Sequence, residues 1–291
     1  MLPIIKWAGG KRRFTNQIIS IIGNEFKNYY EPFVGGGAVL FALEAKNAKC
    51  SDINDELINF YNTVKTNPNE LINELENNFL PYHSSEFYYK VRKLDRDSIK
   101  FNSLTQIQRA ARFLYLNKTC YNGLWRVNRN GQNNVPFGRY VNPKILCSEE
   151  IINASRYFND CNVTFEVNDY KVIANKVKPG DFVYFDPPYD IEIGQNSFVE
   201  YTQSGFNRDE QIKLKKLCDK LVKKGVIVGV SNSNTNFIRE LYQNGKYNFY
   251  TLHEDITVKR TIGSTKKSRR EITELFIVGR LNNEKDITSS K

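Results

Sequence analysis

Residues 181–189 read DFVYFDPPY, a short apolar run that stops at an acid, two prolines and an aromatic residue. A run of this length and composition predicts a buried β-strand. Proline has no backbone N–H to give to a sheet ladder, so the strand is expected to end before the prolines. We therefore predict that Asp186, Pro187, Pro188 and Tyr189 project from the end of a buried strand.

The chemistry of these four residues suits a ligand that carries an amine. An ionised carboxylate only accepts hydrogen bonds, and the prolines add no competing N–H donor, so Asp186 and the Pro187 carbonyl present acceptors. Tyr189 offers a flat face on which a base can stack. Taken alone, the four residues are also compatible with a Pro-Pro turn that caps a strand.

Length and composition limit the class of protein. The chain has 291 residues, 40% hydrophobic and 25% charged, which predicts one large domain with an insertion or two modest domains. No signal peptide and no run of 18 apolar residues is present, so we expect a soluble, cytoplasmic protein. Five cysteines without a C-x-x-C pair and only two histidines predict reduced thiols and no metal site.

The positive charge of the chain, +10 overall, is concentrated. Residues 98–148 include no acid and eight basic residues, namely Lys100, Arg109, Arg112, Lys118, Arg126, Arg129, Arg139 and Lys144. A second acid-free stretch, residues 256–270, includes Lys266 and Lys267. Aromatic and amide side chains lie among the basic residues of the first stretch, which suits base stacking and base-edge contacts. The pattern favours a nucleic-acid partner over a merely solvated face.

Apolar patterning predicts alternating strands and helices. The predicted strands cover residues 28–34, 48–51, 163–167, 181–185, 226–231, 247–253 and 272–278. The predicted helices cover residues 38–46, 54–64, 69–79, 85–94, 106–117, 209–223 and 235–244. Asn130-Gly131 is a preferred hairpin-turn dipeptide and predicts a β-hairpin over residues 127–136. The expected fold class is α/β, a doubly wound, mostly parallel Rossmann-like sheet with a helical and β-hairpin insertion.

Acids at successive strand ends point to a cofactor. In such sheets ligands bind outside the carboxyl ends of the strands, and the run Gly35-Gly36-Gly37 lets the backbone approach a ligand there. Asp52 ends the second strand at about the spacing from these glycines at which an acid binds a ribose, although a helix cap is the alternative. Asp169 follows the third strand and precedes Tyr170. The three strand-end acids, Asp52, Asp169 and Asp186, together favour a nucleoside-type cofactor. A dinucleotide or a triphosphate is disfavoured, because the chain has neither a G-x-G-x-x-G nor a G-K-[ST] motif.

Several stretches of the chain occur together in one known order, namely Lys6-Trp7-Ala8-Gly9-Gly10-Lys11, Glu31-Pro32-Phe33-Val34-Gly35-Gly36-Gly37, Asp52-Ile53-Asn54 and Asp186-Pro187-Pro188-Tyr189. In this combination they resemble the Dam-like family of DNA adenine-N6 methyltransferases, of the D12 class and with the alpha-group order of motifs. The similarity covers nearly the whole chain and includes Tyr121-Asn122-Gly123-Leu124, residues 134–140 and Ser231-Asn232.

The resemblance implies that a methyl group passes from S-adenosylmethionine to N6 of adenine in duplex DNA, usually within GATC. It implies a cofactor site formed by Trp7, Ala8, Gly9, Lys11, Phe33, Gly35, Gly37, Asp52, Asp169, Tyr170 and Asp186. The catalytic residues on this basis are Asp186, Pro187, Pro188 and Tyr189. No metal is expected to take part.

The family reads its target with the inserted hairpin. By resemblance, Tyr121, Leu124, Arg126 and Pro136 contact or stack on bases, and Lys6 reaches an outer guanine. The further DNA contacts assigned are Asn122, Asn134, Arg139, Tyr140, Ser231, Asn232, Lys266 and Lys267. One departure concerns the segment after Tyr189, which in the family is commonly rich in proline and serine but reads DIEIGQ over residues 190–195 here. The loop that closes over a flipped base is therefore expected to behave differently.

The predicted domain organisation assigns residues 1–66 and 149–291 to a catalytic, S-adenosylmethionine-binding domain and residues 67–148 to an inserted DNA target-recognition region. We expect a monomer whose partner is double-stranded DNA, without a membrane. Methylation of cytosine N4 or of RNA adenine remains an alternative, because both present an amine on an aromatic ring. A non-catalytic DNA-binding regulator on the same scaffold is a third interpretation.

Overall fold

A computed structural model describes residues 1–11, 14–191, 206–244, 248–258 and 272–281. The chain divides into two compact units. The first comprises Met1–Thr15 and Val34–Asn168, and the second comprises Asn16–Phe33 and Asp169–Lys291. The functional division between residues 67–148 and the remainder of the chain stays a prediction, as do the monomeric state and the cytoplasmic location.

Seven strands are found in the described part of the chain: β1 (Tyr29–Glu31), β2 (Ala48–Asp52), β3 (Thr164–Val167), β4 (Phe182–Phe185), β5 (Ile227–Ser233), β6 (Tyr250–Val258) and β7 (Ile272–Gly279). They form one sheet in the order β3-β2-β1-β4-β5-β7-β6. The pairs β2–β3, β1–β4 and β4–β5 are parallel, whereas β7 runs antiparallel to β5 and β6. The prediction of an α/β fold with a mostly parallel, Rossmann-like sheet is confirmed.

The helices that the structure describes are α1 (Thr15–Ile22), α2 (Ala38–Leu43), α3 (Asp55–Thr66), α4 (Pro68–Asn78), α5 (Ser85–Lys93), α6 (Ser98–Ser103), α7 (Gln106–Thr119), α8 (Ser148–Asp160), α9 (Arg208–Lys223) and α10 (Asn236–Gln243). Short 3₁₀ helices cover Leu80–Tyr82, Leu94–Arg96, Tyr121–Gly123 and Tyr170–Asn175. Within the described residues, no helix combines the length and the apolar character that a membrane crossing requires.

Local sequence explains where several helices begin and end. Asn54 caps α3, because its side chain accepts a hydrogen bond from the Leu57 N–H at 3.1 Å. Thr105 and Gln108 form a reciprocal capping box at the start of α7. The predicted helix over residues 38–46 stops three residues early, since Glu44 takes a left-handed conformation with φ of 47°.

Three helices were not predicted from the sequence: α1, α6 and α8. The signal for α8 was present, because Ile151, Ala154 and Phe158 recur at helical spacing and are all buried. Two acids in its first turn, Glu149 and Glu150, add a favourable charge near the helix N-terminus.

The predicted β-hairpin over residues 127–136 takes a different form. Its two arms are joined by one isolated antiparallel bridge, Val127 to Asn133, rather than by a regular ladder. The Gly131 N–H donates to the Asn128 carbonyl at 3.0 Å, and Gly131 alone of the turn residues has a positive φ, 74°. A two-residue type I′ turn needs two residues of positive φ, so the loop here is instead a three-residue turn that closes on glycine.

The core of the second unit forms around β4, whose four side chains are fully buried. Leu214, Cys218 and Leu221 from α9 belong to the same buried cluster, at the spacing of one helix face. A strand that is apolar on both faces and covered in this way is expected in the interior of a parallel sheet. The strand thereby holds the residue that follows it, Asp186, in a defined position.

Candidate functional site

The glycine run before α2 is packed closely within the first unit. The Gly35 N–H donates to Asp52 Oδ2 at 3.1 Å, and its carbonyl accepts from the Tyr61 hydroxyl at 2.9 Å. A Cβ on Gly35, which has φ of 44°, would lie 2.7 Å from Cδ1 of Trp7. Both the backbone conformation and the contact therefore require glycine. The run and the Trp7 indole form one packed surface.

Asp52 is the last residue of β2 and is half-buried. Its Oδ1 accepts from the Asn54 N–H at 3.0 Å, so each carboxylate oxygen has a backbone donor. Burial raises the pKa of Asp52, while the hydrogen bonds from Asn54 and Gly35 act in the opposite direction. Because Asn54 caps the following helix, the alternative in which Asp52 acts as the helix cap is not needed. The carboxylate retains acceptor capacity at the end of the strand.

The N-terminal segment of the first unit folds around Lys11. This lysine is only 2% exposed, and its Nζ donates to the Gly9 carbonyl at 2.6 Å. The Gly10 N–H donates to the Trp7 carbonyl, which closes a turn that leaves Ala8 exposed. The predicted cofactor residues of this segment therefore form one compact structure beside the glycine run.

The second unit contains the acid that follows β4. Asp186 is half-buried, Pro187 is buried and Pro188 is exposed. The side chain is thus not enclosed in the core, as a purely structural acid would be. The pKa values of Tyr184 and Tyr189 are raised, first by burial and next by the negative charge of Asp186.

The residues on either side of Tyr189 are held by hydrogen bonds. The Pro188 carbonyl accepts from Gln211 Nε2 at 2.8 Å, and the next residue, Asp190, donates its N–H to Asn232 Oδ1 at 3.0 Å. The Tyr189 hydroxyl donates to Glu274 Oε2 at 3.2 Å. The tyrosine is therefore fixed through its backbone and through its hydroxyl.

A second aromatic surface in this unit consists of Phe33 and Tyr170. Their rings stack with centroids 5.2 Å apart at 27°. Tyr170 is buried and donates to Glu210 Oε2 at 3.0 Å, whereas Phe33 is partly exposed and Asp169 is exposed. Phe33 is consequently the ring that can meet a flat ligand, and Tyr170 supports it from behind.

The first DNA-contact candidates cluster within the first unit. Lys6 Nζ lies 4.8 Å from the centre of the Tyr140 ring, and the Tyr121 N–H donates to the Pro136 carbonyl at 2.8 Å. Asn117 joins the segments, because its Nδ2 donates both to the Lys6 carbonyl at 2.7 Å and to the Gly123 carbonyl at 3.3 Å. These contacts bring Lys6, Tyr121, Pro136 and Tyr140 together in one cluster, and their contact with DNA stays a prediction.

The remaining candidates in this region lie on the hairpin and the segment after it. Arg126 and Asn134 face each other, with Arg126 Nε donating to Asn134 Oδ1 at 2.7 Å. Asn122 and Arg139 are exposed and both have positive φ, 55° and 52°. Leu124 is partly buried. Such left-handed conformations are uncommon outside glycine and often occur at functional loops.

The structure lowers the amount of free positive charge expected from the first acid-free stretch, residues 98–148. Acids outside the stretch pair with half of its basic residues: Arg109 with Glu56 and Asp55, Arg112 with Asp95, Lys144 with Glu150 and Lys100 with Asp97. Lys118 is partly buried and donates to the Ile4 carbonyl. Three exposed arginines of the stretch, Arg126, Arg129 and Arg139, have no acidic partner among the described residues. The acid-free stretch overstated the free positive charge, because carboxylates just outside it, such as Asp97 and Glu150, and carboxylates from elsewhere in the fold, such as Glu56, pair with its basic residues.

Two assigned DNA contacts have partners inside the protein. Ser231 and Asn232 are 3% and 0% exposed. The Ser231 hydroxyl lies 2.8 Å from the Tyr184 hydroxyl, and Asn232 Nδ2 donates to Gln211 Oε1 at 3.0 Å. Their contact with DNA stays a prediction, but these bonds support the strand ends. Lys266 and Lys267 lie outside the described residues.

Sequence reasoning missed several residues that shape the site. Gln211 and Glu274 hold Pro188 and Tyr189, and Asp190 was noted only as a departure from the family pattern. The signal available in the sequence was a glutamine at helical spacing from the apolar Leu214 and Cys218. In the structure the Gln211 side chain is buried on that face. Among the described residues, no group of His, Cys, Asp or Glu has the geometry of a metal site.

Comparisons with known proteins show the family of the chain. A family model described as D12 class N6 adenine-specific DNA methyltransferase matches residues 7–260. The type II methyltransferase M1.LlaDCHI of Lactococcus lactis subsp. cremoris is 38% identical over 275 residues, 94% of each chain. The type II methyltransferase M.MjaIII of Methanocaldococcus jannaschii is 41% identical over 293 residues, 95% of this chain and 98% of its own.

The DNA adenine methylase of Escherichia coli strain K12 is 33% identical over 274 residues, 94% of this chain and 93% of its own. The family model and these full-length relatives carry the same conclusion as the strand-end chemistry. The chain belongs to the D12 class of N6 adenine-specific DNA methyltransferases and is an adenine-specific DNA methyltransferase.

Proposed function

We propose that this enzyme transfers a methyl group from S-adenosylmethionine to N6 of an adenine in duplex DNA, within the sequence GATC. The observation that carries the proposal is the strand end after β4. There Asp186 is half-buried, and Pro188 and Tyr189 are fixed by Gln211 and Glu274. Such an arrangement presents acceptors to an amine with little freedom to move.

The described residues fit the proposed methyl donor. Asp52 offers a carboxylate for ribose hydroxyls, and the Gly35 N–H, which donates to its Oδ2, orients that carboxylate. The exposed face of Phe33 can pack against a purine, and Asp169 can accept from its exocyclic amine. Within the first unit, Trp7 packs against the glycine run beside Asp52, and Lys11 Nζ donates to the Gly9 carbonyl. When bound, S-adenosylmethionine supplies an electrophilic methyl group on a sulfonium.

The role proposed for Asp186 is to orient the acceptor amine. The N6 amine is conjugated with its ring and must pyramidalise before its lone pair can attack. If the carboxylate and the Pro187 carbonyl each accept one amine hydrogen, the lone pair is directed away from both. The amine becomes acidic only after the attack, so its proton then passes to Asp186 or to water. The main role of the Asp186 carboxylate is therefore to position the amine, and removal of its proton is secondary.

The target adenine has to leave the base stack to reach this position. Extrusion costs a few kcal/mol, and stacking on an aromatic ring such as Tyr189 recovers about 1–3 kcal/mol. Glu274 keeps the tyrosine ring in a set orientation through its hydroxyl. The cluster of Lys6, Tyr121 and Tyr140, together with the hairpin, is the proposed DNA-reading surface.

The sequence GATC rests on the resemblance to Dam-like enzymes. The relatives named DNA adenine methylase support adenine as the target, and those named type II methyltransferases support site specificity. We further propose Arg126 as a guanine reader, since its exposed guanidinium is already oriented by Asn134.

The test is incorporation of labelled methyl groups from S-adenosylmethionine into unmethylated duplex DNA, followed by mass spectrometry of the nucleosides. We expect N6-methyladenine, and mapping of modified positions should return GATC. N4-methylcytosine, or preferential labelling of RNA, would establish one of the alternatives instead. DNA binding without any methyl incorporation by the folded enzyme would refute the proposal.

A further inference from the structure

Asp190 follows Tyr189 directly and has a buried side chain with 0% exposure. Its Oδ1 accepts from Arg208 Nε at 3.0 Å, and its Oδ2 accepts from Arg208 Nη2 at 3.2 Å and from the Thr235 hydroxyl at 2.7 Å. This is the two-pronged geometry in which an arginine holds a carboxylate most firmly. A buried acid is tolerated because all its charge is compensated by defined partners.

The backbone of Asp190 is held as firmly as its side chain. The N–H donates to Asn232 Oδ1 at 3.0 Å, and the carbonyl accepts from the Ser233 hydroxyl. Asn232 and Ser233 are the last two residues of β5. The residue is therefore attached to the end of β5 through its main chain, and through its carboxylate to Arg208 of α9 and to Thr235, which caps α10.

Asp190 is also connected, through two buried amide side chains, to the segment that precedes it, residues 186–189. Asn232 Nδ2 donates to Gln211 Oε1, and Gln211 Nε2 donates to the carbonyl of Pro188. Asn232 and Gln211 thus connect the residue before Tyr189 to the residue after it. Each member of this chain of amides is at most 1% exposed, so water does not compete for the bonds.

The Arg208 side chain is oriented by a contact besides the one with Asp190. It lies at the start of α9, and its guanidinium stacks over the Phe237 ring at 4.5 Å. The arginine is thus held between an aromatic face and the Asp190 carboxylate. A displacement of Asp190 would have to move an ion pair anchored on two helices.

We propose that Asp190 is a positioning residue for methyl transfer: through Arg208, Thr235 and the end of β5 it sets the path of the chain at Tyr189 and Asp186. The inference rests on the proposed function and deepens it. The anchoring is carried by the contacts of the Asp190 side chain and main chain described above. Asp190 touches neither substrate in this role and acts through its neighbours.

The experiment compares Asp190→Asn with the wild-type enzyme under single-turnover conditions, with saturating S-adenosylmethionine and a GATC duplex. Asparagine keeps the size of the side chain but removes the charge that holds Arg208. We expect the methyl-transfer rate to fall by about 10- to 100-fold, because small misplacements of reacting groups have effects of this size. The Kd for DNA should stay within about twofold, since the DNA-reading surface is unchanged.

A matched control is Asp219→Asn in the same unit. Like Asp190, Asp219 pairs with a basic side chain, Lys215 at 2.7 Å, and accepts from a hydroxyl, that of Tyr250 at 2.8 Å. Among the described residues it has no hydrogen bond to residues 186–189. We expect a lowered thermal midpoint with an unchanged transfer rate. If Asp219→Asn slows transfer as much as Asp190→Asn at an equal loss of stability, the effect is general and the positioning role is overturned.

A second pair of variants covers the case in which Asp190→Asn does not fold. Thr235→Val removes the hydroxyl that donates to Asp190, whereas Thr235→Ser retains it. The proposal expects a slower rate for valine and near-normal rates for serine. Equal rates for both variants and the wild type would overturn it. Absence of transfer by the wild-type enzyme would instead remove the proposed function, and this inference with it.

Discussion

Arg126 and Asn134 bond to each other twice across the hairpin of the first unit. Arg126 Nε donates to Asn134 Oδ1 at 2.7 Å, and the Asn134 N–H donates to the Arg126 carbonyl at 3.1 Å. The bond uses one of the five N–H donors of the guanidinium and restricts the plane in which the others lie. A planar donor pair held in this way suits bidentate recognition of guanine.

Truncation of Arg126 should therefore relax the choice of DNA sequence. We expect Arg126→Ala to lose about 1–3 kcal/mol of discrimination at one base pair of the site. Arg129→Ala, at the exposed turn of the same hairpin, is the control and should weaken binding equally for all sequences. Methylation rates on duplexes with single-base changes measure both. Unchanged discrimination in Arg126→Ala would reassign the arginine to a phosphate contact.

Removal of the Asp186 carboxyl should abolish methyl transfer but not DNA association. We expect Asp186→Ala to fold and to bind DNA with a Kd close to that of the wild type, because the side chain is only half-buried. Asp209→Ala, which removes an exposed carboxyl of the same unit, should keep full activity. Rapid-quench assays with labelled cofactor and an independent binding titration separate the two effects. Near-normal turnover by Asp186→Ala would contradict the assigned role.

Acidification should weaken cofactor binding through Asp52. Burial raises the pKa of this carboxyl, so it becomes protonated at a higher pH than an exposed aspartate does. A protonated carboxyl can no longer accept two hydrogen bonds on each oxygen, and affinity for S-adenosylmethionine should fall as the pH drops through the raised pKa. Asp52→Asn should bind more weakly at neutral pH and lose this pH dependence. Calorimetric titration over a pH series provides the measurement.

The same shift has a consequence for stability with the opposite sign. A carboxyl whose pKa is higher in the folded than in the unfolded state favours folding most when both states are protonated. Its contribution is therefore present below the unfolded-state pKa and is lost as the pH rises through the folded-state pKa. The unfolding free energy of the wild type relative to Asp52→Asn should decrease over that range. A constant difference across the pH series would show that burial does not perturb Asp52.

Loss of Asp95 should destabilise the first unit strongly. Its Oδ2 lies 2.8 Å from Arg112 Nη2 and accepts from the Asn133 N–H at 2.8 Å, and the Arg112 side chain is only 2% exposed. Asp95→Ala leaves this arginine unpaired and should lower the free energy of unfolding by about 3–5 kcal/mol. Lys100→Ala breaks an exposed pair and should cost under about 1 kcal/mol. Urea denaturation of both variants gives the comparison.

Lys266 and Lys267, outside the described residues, are predicted to bind phosphates of the DNA backbone. Replacing both with alanine should reduce the slope of log affinity against log salt by about 0.9 for each phosphate that is no longer neutralised, with no change in site preference. Lys213→Ala with Lys216→Ala on the exposed face of α9 is the control pair, for which we expect the slope to stay constant. A wild-type slope in the Lys266 and Lys267 variant would count against DNA binding by that stretch.

Much of the fold could be predicted because its signals are local. The apolar run of β4, the Pro-Pro stop and the Asn54 cap each act within a few residues, and the structure has all three in place. The form of the hairpin could not be predicted, because Asn130-Gly131 is compatible with more than one turn. The choice depends on where Asp95 and Arg92 hold the returning arm, through Asn133 and Val135.

The amino-acid sequence alone determined which chemical groups stand at the strand ends: the acids at 52, 169 and 186, the glycines before α2 and the donor-free prolines. Contacts between residues far apart in the sequence decided which of these groups are held by hydrogen bonds. They also decided which basic side chains remain without an acidic partner. Asp190 meets Arg208 and Thr235 only after folding, and Arg109 and Arg112 find carboxylates 17 or more positions away. Burial raises the strength of such pairs, and burial is a property of the packed chain rather than of any segment in it.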